Sequence, residues 1–268
     1  MLRRWVALGF LVAATVCVTA LPWSVPRLGC AEADEPALRV LVFNARTGSG
    51  EVSAKESLIA GVDPDVVAII EPPIDFVQRY LMGGGVLDGY RSGWWPDGAW
   101  SGCPLLLSRF PVDAHGSELA VIRRELWDHF YRLEIVRSPA GDVAIVQMHA
   151  RSPRNAGRWR VGLEQLLEVA DLVHRIGEVT GLPVVVAGDF NSPPTGVRAR
   201  AFAARSGLVR AKPAGRLGGT YPSQVPELIS IAIDDVYATP GVLVRRWEPI
   251  GSAGSDHRAL VVELVFDQ

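Results

Sequence analysis

The sequence of 268 residues is poor in cysteine, which excludes a fold held together by disulfides. Of its three cysteines, Cys17 lies in an apolar N-terminal stretch, so only Cys30 and Cys103 remain for the rest of the chain. Disulfide-stabilised domains carry larger, even sets of cysteines. No CxxC pair is present either, which excludes the usual structural zinc site. The chain therefore depends on a large apolar core, which its length permits.

Several other signatures are also missing. GxSxG, typical of serine hydrolases, and HExxH, typical of zinc proteases, do not occur. Residues 46–51, RTGSGE, are too irregular for a phosphate-binding P-loop. The sequence has no internal repeat, and its apolar fraction of 49% with a charged fraction of 21% is typical of an ordinary globular protein. We expect a single folded domain.

The N-terminus has the composition of a targeting or anchoring segment. Two arginines precede a stretch from Trp5 to Pro26 that carries no charge. Its apolar part is longer than in a usual signal peptide and shorter than in a usual membrane-spanning helix, so both alternatives stay open. RLGC, which ends at Cys30, resembles a bacterial lipid-attachment box, although Arg27 stands where that box has an aliphatic residue. We predict a signal peptide or membrane anchor at 1–29, a linker at 30–36, and an exported, extracytoplasmic domain at 37–268.

The charge of the chain is slightly negative overall but positive in one stretch. Three of the 27 basic residues lie in the N-terminal segment, which leaves 24 against 29 acidic residues. An acidic domain is a poor nonspecific binder of nucleic acid, since such binding depends on neutralising phosphates. Residues 151–160, RSPRNAGRWR, nevertheless contain four arginines. They are either a solvated helix start or a positive rim that attracts an anionic ligand, with Arg151 and Arg154 as candidate binding residues.

Short runs rich in Val, Ile and Leu alternate with helical segments. Several runs are apolar throughout, which is typical of strands covered on both faces. Apolar residues at helical spacing, followed by Gly181 and Pro183, predict a long amphipathic helix at 155–177. The pattern favours an α/β (α+β) class with sheets at the core and helices outside. Strands are predicted at 38–43, 66–70, 104–107, 131–136, 143–148, 183–187, 231–237 and 260–266, and further helices at 52–62, 74–82 and 197–206.

Nearly every one of these apolar runs ends in a polar residue that can do chemistry. Chance would supply one or two such endings, whereas a systematic set predicts one polar cleft at one edge of the sheets. The endings are Asn44, Glu71, His149, Asp189 with Asn191, Asp234, and the pair Asp256 and His257 before the last strand.

These endings lie in a set of motifs that resembles the endonuclease/exonuclease/phosphatase superfamily of metal-dependent phosphoesterases, and in particular its exported bacterial branch. The resemblance implies a four-layer sandwich of two mixed β-sheets flanked by helices. It also implies hydrolysis of phosphate mono- or diesters, lipid-linked or small, outside the cytoplasm. The motifs, in the order of the family and spanning about residues 38–266, are VFNAR, DPDVVAIIE, LLLSRFPV, VQMHA, GDFNSPPT, GGTYP, AIDDVY and GSDH.

Hydrolysis of a phosphate ester requires neutralised oxygens, a deprotonated water and help for the leaving oxygen. Glu71 and Asn44 are hard oxygen ligands that suit Mg²⁺ or Mn²⁺ and leave room for water on the metal. The resemblance implies that Asp256 is a further ligand on the metal side or the water side. Because side chains alternate along a strand, we expect Asp189 and Asn191 to share one face, the acid orienting water and the amide holding a phosphate oxygen.

The resemblance also assigns the histidines. His257 is expected on the phosphate, with Asp234 as the carboxylate that orients its ring, and His149 is expected as a second imidazole there. Gly188 is expected to let the substrate come close. Asp235 departs from the family pattern, in which His or Tyr is common.

Two alternatives to this function stay open. A secreted nuclease would be favoured by a broad basic groove, so nucleic acid stays a possible partner. A non-catalytic binding module would be favoured by the loss of a metal or acid residue, and none is lost. Beyond a phosphate-ester substrate and a membrane contacted by the N-terminus, we infer no partner, and no protein partner in particular.

Overall fold

The computed structural model describes residues 28–31, 35–81, 85–91, 104–113 and 131–266. The predicted targeting segment up to Arg27, part of the predicted linker, and Cys103 lie outside these residues. Within the described ranges, no helix has the length and apolarity that crossing a membrane requires.

The described residues form two six-stranded mixed β-sheets that pack face to face. Sheet I has the order β1 (Gly29–Cys30), β11 (Leu243–Pro249), β12 (Leu260–Val265), β2 (Leu38–Asn44), β3 (Val66–Ile70) and β4 (Leu105–Ser108). Sheet II has the order β5 (Val112–Asp113), β6 (Tyr131–Ser138), β7 (Gly141–His149), β8 (Val184–Asp189), β10 (Asp234–Ala238) and β9 (Val209–Arg210).

Helices cover the outer face of each sheet. The described α-helices are α1 (Val52–Val62), α2 (Ile74–Leu81), α3 (Ala156–Thr180) and α4 (Val197–Ser206), and a short 3-10 helix spans Glu227–Ile229. Residues of α1 and α2 share an apolar cluster with sheet I, and residues of α3 and α4 share one with sheet II. The predicted four-layer sandwich of class α/β is confirmed.

The core explains why the strands are apolar throughout. In β2, Val40 and Val42 face the other sheet, while Leu41 and Phe43 face the helices. Both faces are dry, so neither position of the two-residue repeat tolerates a polar side chain. The all-apolar pattern in the sequence therefore identified the central strands correctly.

The long helix also begins and ends as its sequence predicts. Asn155 caps α3, because its Oδ1 accepts a hydrogen bond from the backbone N of Arg158 at 2.9 Å. Gly181 ends it in the left-handed conformation, with φ of 65°.

Strand β11 was not predicted, and β10 starts later than expected. β11 carries Arg245, Arg246 and Glu248, and its register shifts between Val244 and Arg246, which breaks the alternation that a periodicity search needs. The predicted strand 231–237 begins at Asp234 instead.

Residues around the predicted boundary between leader and linker contact the sheets. Leu28 is buried in the core between the sheets, and Gly29–Cys30 pair with β11.

Candidate active site

Polar side chains complete the inward-facing rows of several strands at one end of the sandwich. Asn44 follows Val40 and Val42 in β2, and Asp189 follows Val185 and Ala187 in β8. The β2–β3 and β7–β8 pairs are parallel, so their carboxyl ends meet at the same edge.

Strand register then brings the sheet II residues together. His149 of β7 pairs with Asp189, and Asp234, the first residue of the antiparallel β10, pairs with Asp189 from the other side. Residues paired in register have their Cβ atoms about 5 Å apart, so the three side chains are neighbours.

Asp189 is a buried carboxylate at the centre of the cluster. Its Oδ2 accepts from the side-chain amide of Asn44 at 3.0 Å, and its Oδ1 accepts from the backbone N of Asn191 at 2.7 Å. Burial, and then the negative charge of Asp234, raise the pKa of Asp189 to about 7, against the effects of His257 and of these hydrogen bonds. A carboxyl with this pKa gains and loses a proton near neutral pH.

His257 is held by Asp234. Its Nδ1 lies 2.7 Å from Asp234 Oδ2, and both side chains are buried. Burial alone would lower the pKa of His257, but the charge of Asp234 and this hydrogen bond raise it to about 9. The imidazole is therefore cationic at neutral pH and fixed in orientation. The structure thus places Asp234 where the sequence expected an orienting carboxylate.

Glu71 and His149 lie on the open side of the cluster. His149 Nε2 is 3.5 Å from Glu71 Oε1 and 3.8 Å from Asp189 Oδ2. Burial lowers the pKa of His149, although the charge of Glu71 opposes this. Glu71 has a φ of 50°, a left-handed conformation that is uncommon outside glycine and that turns its side chain out of the strand pattern of β3. Its side chain is 35% exposed, so it can meet a ligand from solvent.

Asn191 lies beside Asp189 by a different route from the predicted one. β8 ends at Asp189, and Asn191 has a φ of 47°, so the alternation argument was wrong. A local turn brings the residues together: Asn191 Nδ2 donates to Asp189 Oδ2 at 3.1 Å and to the carbonyl of Ala150 at 3.0 Å. The amide nitrogen therefore positions Asp189.

Gly188 is explained by the neighbouring strand. A Cβ at this position would lie 1.9 Å from the carbonyl oxygen of Met148 in β7, so any side chain would separate the two strands. This requirement replaces the predicted one, in which the glycine makes room for substrate.

The remaining predicted residues lie around this cluster. Asp256 carries a carboxylate 3.4 Å from the Arg46 guanidinium, and its charge acts on His257. Arg151 and Arg154 are exposed in the loop after β7, and the charge of Arg151 contributes to the lowered pKa of His149. Asp235 is buried away from this cluster, in an ion pair with Arg210 and a hydrogen bond from Trp247 Nε1 at 3.1 Å.

Four residues at the site were missed in the sequence. Ser255 Oγ donates to the carbonyl of Asn44 at 2.7 Å and accepts from the backbone N of His257 at 3.1 Å, and Tyr221 packs on the His257 ring with 4.9 Å between centroids. Ser255, Tyr221 and Arg46 lie inside motifs quoted above, so those motifs carried a signal for them. Arg198 lies in none, and a lone arginine in a helix usually faces solvent.

A comparison with known protein families identifies the family to which this chain belongs. The sequence model described as the Endonuclease/Exonuclease/phosphatase family matches residues 43–257. The chain belongs to the endonuclease/exonuclease/phosphatase family. The match extends from the residue before Asn44 to His257, and so includes the whole cluster.

Solved structures show the same fold at low identity. An endonuclease/exonuclease/phosphatase family protein from Bacteroides thetaiotaomicron has 17% identity and a TM-score of 0.61, covering 88% of this chain and 100% of its own. A mannosyl-6-phosphatase from the same organism has 18% identity and a TM-score of 0.62, covering 85% and 100%. A variant of Staphylococcus aureus beta toxin with bound magnesium ions has 13% identity and a TM-score of 0.59, covering 87% and 100%.

No curated protein sequence matches this chain. The endonuclease/exonuclease/phosphatase fold is that of phosphoesterase and nuclease-type hydrolases, and members of the family are hydrolases that act on phosphate esters.

Several residues of this family member could hold a divalent cation. Atoms of Asp189, Asp234 and His257 that can ligate a metal lie within 4.8 Å of one another. Asp234 Oδ1 is buried and has no hydrogen-bond partner. The Nδ1 of His257 is already hydrogen-bonded to Asp234. The same three residues can therefore also serve to orient the imidazole ring instead of binding a metal. The hard oxygen donors are the carboxylate of Glu71, on the open side, and the amide oxygen of Asn44, which is buried and accepts from the backbone N of Arg46 at 3.1 Å. The donor set fits Mg²⁺ or Mn²⁺.

Proposed function

We propose that the chain is a divalent-metal-dependent phosphoesterase that hydrolyses phosphate mono- or diesters outside the cytoplasm. The observation that carries this proposal is the placement of the buried Asp189 carboxyl beside the His257–Asp234 pair, with atoms of all three residues within 4.8 Å of one another. It places a proton acceptor and an oriented cation within one cluster, which is what attack of water on a phosphate ester requires.

The proposed metal ligands are Glu71 and Asn44, with Asp256 on the same side. When bound, the cation would neutralise phosphate oxygens and stabilise the leaving oxygen. Support comes from the two buried carboxylates of the cluster, which share one cationic partner, and from the beta toxin structure, whose description includes bound magnesium ions.

The side chains divide the remaining work. Asp189 accepts the proton of the attacking water, and Asn44 and Asn191 hold it in orientation by hydrogen bonds to its two oxygens. His257 donates a charge-assisted hydrogen bond to the phosphate, and Asp234 fixes its ring. His149, whose pKa is lowered, serves as a neutral hydrogen-bonding group there.

The remaining predicted features concern how the substrate reaches the site. The exposed Arg151 and Arg154 would attract the anionic substrate towards the rim of the site. Export and membrane contact rest on the apolar N-terminal segment, which makes a lipid-linked phosphate the first substrate to test.

The test is a substrate panel with the purified full-length chain in Mg²⁺: a prenyl pyrophosphate, a phospholipid and plasmid DNA. We expect hydrolysis of at least one lipid phosphate, reversible loss on chelation, and loss of activity in Glu71→Gln. Glu164→Gln, an exposed acid on α3, is the matched control and should keep full activity. Undiminished turnover in chelator or in Glu71→Gln would refute the proposal, and cleavage of DNA alone would favour the nuclease.

A further inference from the structure

Arg198 of α4 is a buried arginine whose hydrogen bonds all end on backbone carbonyls. Its side chain is nearly inaccessible to solvent, with 2% of the residue exposed. Nη1 donates to the carbonyl of Arg151 at 2.9 Å. Nη2 donates to the carbonyls of Phe190 at 3.0 Å and Asn191 at 2.7 Å. One guanidinium thus joins α4 to two separate loops.

Those two loops are the ones that leave the site strands. The Arg151 carbonyl lies two residues beyond His149 at the end of β7, and the other two carbonyls directly follow Asp189 at the end of β8. The second loop contains the left-handed Asn191, whose backbone N and side-chain amide both bind Asp189. The position of the Asn191 peptide therefore sets the orientation of the Asp189 carboxylate.

Burying a cation where a helix packs against loops is energetically unfavourable. Removing a guanidinium from water costs several kcal/mol before its new hydrogen bonds offset the loss, and apolar side chains often stabilise such contacts equally well. Burial accordingly lowers the pKa of Arg198. The planar guanidinium donates several hydrogen bonds at once and so fixes the distances to several carbonyls, which an apolar side chain cannot do.

The facing helix leaves room for this guanidinium. A Cβ on Gly162 of α3 would lie 2.3 Å from Arg198 Nη1 and 2.6 Å from the Arg151 carbonyl oxygen. Both contacts are far shorter than van der Waals distance. Gly177, in the same helix, would meet nothing within 4 Å if it gained a Cβ. Of these two glycines, Gly162 alone is required by the arginine.

We propose that Arg198, admitted by Gly162, is a positioning residue for the hydrolytic site: it clamps the loops after β7 and β8 so that Asn191 holds Asp189 in its reactive orientation. For its catalytic readout this inference rests on the phosphoesterase function proposed above. Arg198 is buried and its hydrogen bonds go to backbone carbonyls, so we expect it to act on turnover and to leave substrate affinity largely unchanged.

The kinetic test compares Arg198→Ala, Gly162→Ala and the control Gly177→Ala. We expect kcat to fall about 10²-fold in Arg198→Ala with KM nearly unchanged, since a displacement of about 1 Å in a reacting group has this effect. Low-millimolar guanidinium should restore part of the rate, because it fits the space left by the side chain. Gly162→Ala should lose rate without such rescue, because its methyl group occupies the slot, and Gly177→Ala should keep the wild-type rate.

A second readout is independent of activity. The side-chain amide of Asn191 gives NMR resonances that depend on its bonds to Asp189 and Ala150. We expect them to shift in Arg198→Ala and to return on addition of guanidinium. If wild-type protein hydrolyses no phosphate ester, the proposed function fails, while these resonances still test the clamp.

Two outcomes would overturn the inference. One is a folded Arg198→Ala protein with wild-type kcat, and the other is an unchanged Asn191 resonance in that variant. If Arg198→Ala does not fold, Gly162→Ala decides, and a kcat equal to that of Gly177→Ala overturns the clamp.

Discussion

The two ends of the β-sandwich both carry charged side chains, but the electrostatic surroundings of their carboxylates differ. At the site end, Asp189 and Asp234 are buried side by side, and the pKa of Asp189 is raised to about 7. At the other end of sheet I, a cavity of 190 Å³ is lined by Ala37, Arg39, Asp63, Asp65, Arg109, Arg245 and Glu263. There a hydrogen bond from Arg109 lowers the pKa of Asp63.

The two ends differ in the partners of their carboxylates rather than in the presence of charged residues. At the far end, Arg39 bonds Glu263 at 3.0 Å and Arg109 bonds Asp63, so each of these carboxylates faces a guanidinium. Asp65 is half-buried and its pKa is raised by that burial, yet it accepts from the backbone N of Arg39 at 2.8 Å. At the site end, carboxylates are buried together, and one of their oxygens has no partner. The two buried carboxylates of the site end share one cationic partner, His257, so net negative charge remains there and marks a place for a cation, whereas paired charge stabilises a surface.

The largest effect should come from removing the charge of the buried acid Asp189. Asp189→Asn keeps the shape of the side chain but cannot accept a proton from water, so we expect kcat to fall about 10³-fold. In chelator and above the pKa of about 7, the melting temperature should change little, because removal of the buried charge is offset by the new NH2 group, which faces an N–H donor where the carboxylate accepted a hydrogen bond. Kinetics and thermal unfolding on the same preparation check both parts. Near-wild-type turnover would contradict the assignment of Asp189.

The fold and most of the site end could be predicted from the sequence, and the reason is physical. Burial on both faces makes strands apolar throughout, and a polar residue at the end of such a run is conspicuous, so Asn44, His149 and Asp189 could be found. Asp234 begins β10 instead, so its motif rather than this rule located it. Features that depend on backbone dihedrals or on distant partners left no periodic trace. The left-handed turn at Asn191 and the inward guanidinium of Arg198 are of this kind.

The charge state of the site end should also be visible in the pH dependence of stability without metal. The folded-state pKa of Asp189 is about 7 against an ordinary value of 3.8, and that of His257 is about 9 against 6.5. Both groups bind protons more tightly in the folded state, so the stability they contribute is present at low pH and is lost as pH rises through these windows.

We therefore expect the melting temperature in chelator to fall between pH 3.8 and 7 through Asp189, and between pH 6.5 and 9 through His257. Asp189→Asn should abolish the first decline. Asp234→Asn should make the second decline smaller, because His257 loses the largest charge that raises its pKa while the charges of Asp189 and Asp256 remain. A second decline of unchanged size in Asp234→Asn would contradict the role of Asp234.

The smallest effect should come from the acid at the opposite end. Asp63→Asn removes the charge that pairs with Arg109, but the side chain is 66% exposed, and exposed ion pairs contribute little to stability. Its φ of 51° is a conformation that asparagine adopts as readily as aspartate, so the backbone should not change. We expect wild-type kcat and a melting temperature within about 3 °C of wild type. Asp63 and Asp189 receive the same chemical substitution. A loss of activity in Asp63→Asn would therefore mean that the two ends are coupled, and that the buried negative charge at Asp189 does not by itself define the site.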